Sequence, residues 1–278
     1  MKKKTSFPII TVALPMYRAK MIGWLAIEGL THQKNAPPWE LSIAEEIFDS
    51  SQPMGLENVK HYEDGLYRAG CVSITYIPIE KWMPLSQKWK LLANHSIGEI
   101  MLLQAADCYP HPYRLKNSYM LMNASQADWY QAPFGYFYSI SRNRIYYFDR
   151  RKHPHPCGLN MAVKMEWMRQ LPDETIQKYV DSWLYKSIQH KKLEKTGTSL
   201  SVIWDESDDW KHGLDTNGFN TISLDREHAF DNLPCFSYRA DLTLTQIVPK
   251  NVADKLYDLH NQMNEAHHEN SIASMHLQ

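Results

Sequence analysis

Ile9-Ile10-Thr11-Val12-Ala13-Leu14-Pro15-Met16-Tyr17-Arg18 is the stretch that decides the fold. Its first six residues are β-rich and almost wholly apolar, which predicts a strand buried on both faces, as in a parallel sheet. Pro15 ends the run, and Met21, Ile22, Leu25, Ala26 and Leu30 then recur at helical spacing within Ala19–Leu30. Trp39–Ile43 reads as a second strand, closed by Glu45 and Glu46, and Val72, Ile74 and Tyr76 alternate as a third. Helical spacing resumes at Trp89, Leu92 and Ala93, and Gly98 leads into the apolar strand Ile100–Leu103, which stops at Gln104–Asp107. This rhythm predicts an α/β fold with a mostly parallel central sheet flanked by helices. Right-handed crossovers gather the carboxyl ends of such strands on one edge, where ligands bind beside the reversal of strand order. Pro15, Glu45 and Asp107 are expected on that edge.

The rest of the chain is read outward from this core. Tyr136–Tyr138 and Ile145–Phe148 suggest an aromatic hairpin across Ser141–Arg144, Met161–Leu171 and Glu174–Lys192 suggest helices, and Thr198–Trp204 a late strand. Val252, Leu256, Leu259 and Met263 predict a terminal helix docking weakly through one face, with a frayed end. A chain of 278 residues can bury a sizeable core without a metal or disulfide staple. The formal net charge of -1 argues against a globally basic, nucleic-acid-coating surface. Cys71, Cys108, Cys157 and Cys235 form no CxxC pair, so free thiols in a reducing compartment are expected. The apolar run after Lys2–Lys4 is too short for a transmembrane helix, and a cytoplasmic location, or one peripheral to a membrane, is expected. The phosphate-cradling glycines of GxGxxG and GxxxxGK[ST] are absent.

Four places could carry chemistry. The Pro15–Arg18 turn could set backbone and the Tyr17 ring against a nucleotide base. Asp107, after an apolar strand and before Pro110 and Pro112, could ligate a hard divalent ion bridging two phosphates, or cap a helix starting near Tyr113. Gly158 allows close backbone approach, and Asn160 could cap a helix or hydrogen-bond sugar hydroxyls. Asp181, near Trp183, is either a base or a solvated face residue.

In order and spacing these places resemble the large inverting GT-A glycosyltransferase family of the family-two type, over roughly residues 9 to 222. Val12–Arg18 has the shape of its Pro-Thr-Tyr-Asn-Arg-like turn, and Glu45-Glu46 stand where its second strand carries an aspartate pair. Lys88–Asn94 and Gly98–Leu103 match the lead-in to its Asp-x-Asp-Asp motif, of which Gln104-Ala105-Ala106-Asp107 keeps only the last acid. Gly158–Ala162 resembles its Gly-Gly-Asn-Met-Ala turn, Val180–Leu184 its Glu-Asp-x-x-Leu element, and Asn217–Asn220 a late His-Gly-x-Asn loop.

The resemblance implies a GT-A domain over residues 1–248, with a donor-binding half of about 1–115 and an acceptor and catalytic half of about 116–248. A C-terminal helix and tail would fill 249–278. It implies transfer of a sugar from a nucleotide-diphosphate donor, UDP-linked, to a hydroxyl acceptor with inversion. Asp181 would be the base; Pro15, Tyr17, Arg18, Glu45, Lys90 and Asp107 would hold the donor; Gly158, Asn160 and Trp183 would meet sugar or acceptor. Asp107, His212 and Asp215 would hold Mn or Mg. The acceptor class it implies is a glycan or lipid-linked glycan. Two rivals remain: a nucleotide-sugar-binding protein without turnover, given the lost acids, and a transferase acting on hydroxylated DNA bases, given Arg142, Arg144, Arg150 and Arg151 among aromatic rings.

Overall fold

The first strand is buried because it is flanked by strands on both sides and helices on both faces. In the computed structural model, which describes residues 7–131, 134–140, 143–149, 161–174, 176, 180–196, 202–203, 219–222, 237–239 and 242–275, β1 (Ile10–Met16) is followed by α1 (Trp24–Thr31) and β2 (Trp39–Glu46). Two short helices, α2 (Leu56–His61) and α3 (Glu63–Arg68), lead to β3 (Cys71–Ile79), α4 (Leu85–Asn94) and β4 (Ile100–Leu103). Then come β5 (Cys108–Tyr109), α5 (Arg114–Ser125), β6 (Trp129–Gln131), β7 (Phe134–Ser139) and β8 (Arg144–Asp149). The remainder is β9 (Met161–Lys164), α6 (Met165–Arg169), α7 (Val180–Thr196), β10 (Val202–Ile203), β11 (Phe219–Ile222), β12 (Ser237–Arg239) and α8 (Lys250–Met275).

Among the described residues the main sheet has the order β10-β6-β9-β4-β1-β2-β3. The pairs β1–β2, β2–β3, β1–β4 and β10–β6 are parallel, and β9 alone runs against its neighbours β4 and β6. This is the expected α/β fold with a mostly parallel sheet between helices. Strand order reverses between β1 and β4, so the crevice at their carboxyl ends is the switch point. One apolar cluster, with Val12, Leu14, Leu25, Ile27 and Leu256, fills the α1 and α8 face. A second, with Ala13, Trp89, Met101, Trp129 and Leu184, fills the α4, α6 and α7 face.

Every residue of β2 is buried, although Glu40, Ser42, Glu45 and Glu46 are polar. Each polar group holds a loop. Glu40 Oε1 accepts from Thr11 Oγ1 (2.6 Å) and from the backbone of Ile97 (2.8 Å) and Gly98 (3.0 Å). Gly98 is required there, since a Cβ would stand 2.6 Å from Thr11 Oγ1 and 2.7 Å from Thr11 N. Ser42 meets Ser96 at 2.8 Å.

Several expectations are corrected. The helix after β1 begins at Trp24, not Ala19, because residues 20–23 form a turn closed by Gly23 N–H to Ala19 C=O. Met161–Leu171 is not one helix: Met161–Lys164 is a strand slotted between β4 and β6, and only Met165–Arg169 is helical. Three of its four strand residues are fully buried by that slot, which overrides the helical spacing. Asp107 caps no helix, since α5 follows Tyr113. The helix placed at Glu174–Lys192 runs Val180–Thr196. The terminal helix docks through one face of its first turns, where Val252, Ala253 and Leu256 are fully buried.

The hairpin forms as expected, with β7 and β8 antiparallel, and belongs to a second sheet ordered β12-β8-β7-β11-β5. Tyr136, Tyr138 and Ile145 are buried in it. Those two tyrosine rings are therefore core, and no nucleic-acid base can stack on them. Cys71 and Cys108 are buried, and burial pushes the Cys71 thiol up to about 12; Cys157 and Cys235 lie outside the described residues. Among the described residues no helix is long and apolar enough to cross a membrane.

Candidate active site at the switch point

The carboxyl end of β1 supplies the first wall. Pro15 is half-buried and Met16 buried; Tyr17 then turns outward, 42% exposed, and Arg18 follows at φ 52°. The Tyr17 ring lies 6.4 Å from the Phe48 ring, and the Arg18 guanidinium stands 5.2 Å from its centroid. Beneath it, the Lys88 ammonium reaches 5.6 Å from the ring centroid, donates to Met16 C=O (3.3 Å) and pairs with Glu46 Oε1 (2.6 Å). Both charged side chains are buried, so the pair fastens the carboxyl ends of β1 and β2 together. Sequence reasoning passed over it. The signal was a lysine within the apolar face of a helix, where a charge needs a partner.

Glu45 is fully buried and faces the other way. Its carboxylate accepts from Met54 N–H (2.6 Å), Gly55 N–H (3.0 Å) and Tyr76 OH (2.6 Å), and so sets the loop after β2. Gly55 has φ 85°, a conformation that favours glycine. Burial first, then the bond to Glu45, raises the Tyr76 hydroxyl above its ordinary range. Lys90 sits two residues past Lys88 on α4, and its ammonium meets Asp173 at 2.5 Å.

The second wall is the turn after β4, which joins the two sheets. Gln104, where the acidic motif would begin, is 1% exposed and committed at both ends of its amide. Its nitrogen donates to Ala105 C=O (2.9 Å) and Cys108 C=O (2.8 Å), and its oxygen accepts from Arg114 Nη1. Arg114 Nη2 also donates to Leu103 C=O at 2.7 Å. Asp107 is half-buried in the turn, with Cys108 Sγ donating to its Oδ1 at 3.5 Å. Directly after it, β5 pairs with β11, and Asn220 falls opposite Cys108. The fold thus brings the end of the late Asn217–Asn220 segment to within one residue of Asp107 along the ladder.

The third wall comes from α7. Asp181 lies in its first turn, and Val180, Leu184 and Ile188 bury the helix against the sheet. Lys192 Nζ is 2.6 Å from Asp128 Oδ2, and Asp128, just before β6, also meets Lys164 at 2.9 Å. This anchors the carboxyl-terminal end of α7 at the amino edge of the sheet. At the other end, Ile176 N–H donates to Ser86 Oγ (3.3 Å) at the start of α4, which begins at the carboxyl edge. Asp181, about 16 Å up the helix from Lys192, therefore lies toward the carboxyl edge. Trp183 is half-buried against the apolar cluster on that face.

Pro15, Tyr17 and Arg18 thus stand at the carboxyl end of β1, Asp107 in the turn after the neighbouring β4, and Asp181 in the first turn of α7 toward the same edge; Glu45, expected to hold the donor, is instead fully buried and bound to the loop after β2. Lys90 is engaged with Asp173. Gly158, Asn160, His212 and Asp215 lie outside the described residues; Met161, immediately after Asn160, pairs with Gln131 at the carboxyl end of β6. Among the described residues no three His, Cys, Asp or Glu side chains cluster as a metal site.

No protein-family profile and no curated protein sequence matches the chain. Solved structures do. A mannosyltransferase from Pyrobaculum calidifontis, captured with GDP-Man and Mn2+, superposes with TM-score 0.56 at 14% identity, over 81% of this chain and 60% of that one. TarS 1-349 from S. aureus with UDP-GlcNAc gives 0.54 at 13% identity, over 77% and 58%. The same fragment with UDP gives 0.53 at 13%, over 80% and 62%. The chain spans about 60% of the length of these structures. At such identities the likeness is one of fold, and the fold is one in which other proteins hold nucleotide sugars.

Proposed function

We propose that the chain is a glycosyltransferase that takes a sugar from a nucleotide-diphosphate donor, UDP-linked, and passes it to a hydroxyl acceptor with inversion. The observation that supports this reading is the strand order: the Tyr17 turn follows β1, Asp107 follows the neighbouring parallel strand β4 with the β11 end opposite Cys108, and parallel sheets bind ligands at that carboxyl edge. Tyr17 and Arg18 would receive the base. Asp107 would hold a Mn or Mg ion, because one carboxylate completed by diphosphate oxygens and water is a common share for such an ion. When bound, the ion would offset charge on the leaving diphosphate. His212 and Asp215 would be its further ligands from this chain, whereas Gln104 does not fit as one, both ends of its amide being committed.

Asp181 would accept the proton of the acceptor hydroxyl as its oxygen attacks the anomeric carbon and the bond to the diphosphate breaks. Gly158, Asn160 and Trp183 would contact sugar or acceptor, a glycan or lipid-linked glycan. The donor half would be residues 1–115 and the acceptor half 116–248.

Calorimetric titration with UDP and GDP, each with Mn, Mg or chelator, followed by mass-spectrometric detection of donor hydrolysis, tests the reading. Saturable nucleotide binding with slow release of free sugar is expected. The commitment of Gln104 favours one rival, a nucleotide-sugar-binding protein without turnover, for which binding would persist and hydrolysis would be nil. Absence of binding to either nucleotide would refute both.

A further inference from the structure

We propose that β3 pairs with β3 of a second copy of this chain, antiparallel about a two-fold axis at Thr75, so that two main sheets join into one. The inference rests on the sheet alone and not on the glycosyl-transfer reading.

β3 stands at the end of the main sheet and pairs there with β2. One bond tells which of its backbone groups point away from β2. Ile79 C=O accepts from Ile47 N–H at 2.9 Å, and Ile47 follows Glu46, the residue in register with Ile79. Ile79 therefore faces β2, and by the alternation of a strand Ile77, Thr75 and Ser73 do too. Ile74, Tyr76 and Pro78 face outward. Among the described residues no backbone partner meets the outward N–H and C=O of Ile74 and Tyr76. Pro78 has no N–H to leave unpaired, so the outer edge is where a strand tolerates it. Both faces of β3 are already covered: Ile74 and Tyr76 pack against one apolar cluster, Ile77 and Ile79 against the other. What β3 lacks is a neighbour in the plane of the sheet, and a strand supplies that.

The sequence of β3 selects a second copy of itself. A bulge interrupts the ladder before Ser73, and Pro78 ends the run of donors after Ile77. Between them no charged side chain, the usual guard of an edge, stands in Cys71–Ile79. The open window Ser73–Ile77 is thus symmetric about Thr75. An axis there sets Ile74 of each copy opposite Tyr76 of the other, and each such pair exchanges both of its N–H···O=C bonds. A slip to the next register on either side would set the donorless Pro78 opposite Ile74, or the bulged Val72 opposite Tyr76. Ile74 against Tyr76 is also a β-branched and aromatic pairing of the kind that stabilises antiparallel strands. At each end the exposed Arg68 of one copy comes toward the exposed Glu80 of the other, while Lys81 lies past the end of the strand. The joint sheet leaves both switch-point crevices open, because β2 separates β3 from β1. A ladder this short buries less than the roughly 1,200 Å² of a standard interface, so a micromolar dimer is expected.

Sedimentation velocity of the full chain from about 1 to 300 µM should show monomer passing to dimer. Ile74→Pro, which removes an outward donor, should weaken association about tenfold or more. Thr75→Lys and Thr75→Glu should each weaken it likewise, since equal charges then face across the axis, whereas an equimolar mixture of the two should dimerise. In the paired state the two Thr75 residues form a non-hydrogen-bonded pair with Cα atoms about 4.5 Å apart. Thr75→Cys should therefore cross-link through position 75 on mild oxidation, as located by peptide mass spectrometry. Monomer at every concentration, a dimer that Ile74→Pro and both charge variants leave intact, a mixture no tighter than either variant alone, or no cross-link through position 75 would each overturn the pairing. Circular dichroism establishes which variants fold, and if Ile74→Pro does not, the Thr75 variants decide.

Discussion

The Arg114 guanidinium donates both to the side-chain oxygen of Gln104 and, at 2.7 Å, to the backbone carbonyl of Leu103, which shapes the turn that presents Asp107. Gln104→Ala removes one acceptor from a buried cation and should cost about 1–3 kcal/mol in urea unfolding. Gln104→Asp should form an ion pair with Arg114 rather than a metal ligand. Its Mn affinity, read by electron paramagnetic resonance, is therefore expected to equal that of the wild type; a gain would show that position 104 still faces the metal.

Lys88 and Glu46 form a buried pair in which Glu46 Oε2 has no hydrogen-bond partner among the described residues. Lys88→Met strands the carboxylate and should destabilise the fold by about 3–5 kcal/mol, much of it restored by adding Glu46→Leu. Chemical denaturation of the single and double variants checks this. Equal stability of Lys88→Met and wild type would contradict the pairing.

Burial pushes the Asp128 carboxyl up, but hydrogen bonds and charge from Lys192 and Lys164 outweigh it and leave the group below its ordinary value. A depressed folded value means that its stabilisation is complete above the unfolded carboxylate range, near pH 4, and is lost as pH falls through the folded value. Asp128→Asn should thus be about 1.5–3 kcal/mol less stable than wild type at pH 7. The gap should close as pH falls below about 4 and through the lowered folded value. A gap that widens on acidification would reverse the sign.

Asp107→Asn should weaken nucleotide-diphosphate binding much more in Mn or Mg than in chelator, since the carboxylate is the one acid of the motif that remains. Calorimetry across a metal titration reads this directly. Equal losses with and without metal would remove Asp107 from the metal role.

Asp181→Asn should fold and bind nucleotide diphosphate normally while turnover falls by about 10²-fold or more. A solvated carboxylate would change stability by less than about 0.5 kcal/mol and leave transfer intact. Near-normal transfer by the folded variant would refute the assignment and turn attention to Asp208 and Asp209.

The donor-side sheet was legible because β1, β2 and β4 are apolar runs with sharp ends, and burial on both faces writes itself as such runs. The slot of β9 was not. Met161–Leu171 carries helical spacing, and only the neighbours β4 and β6, about 30 to 60 residues away, make its first four residues a strand. Asp107 was singled out from local sequence, but its nearness to Asn220 depends on a strand pairing between residues more than 100 apart. Gln104 was read as a lost acid; its tie to Arg114 needed the turn in three dimensions.

The reversed strand has a further consequence, for the nascent chain. Until Met161–Lys164 is made, β4 has β1 on one side and, on the other, an open flank of unpaired backbone N–H and C=O between apolar side chains. Roughly 60 residues separate the two strands, which at ribosomal speeds of about 5–20 residues per second leaves that flank bare for about 3–12 s. An unpaired apolar strand is a template for foreign strands. Slow translation between residues 104 and 160 should therefore raise the aggregated fraction in pulse-labelled cells, whereas slowing beyond residue 203, once β10 has closed the sheet, should not.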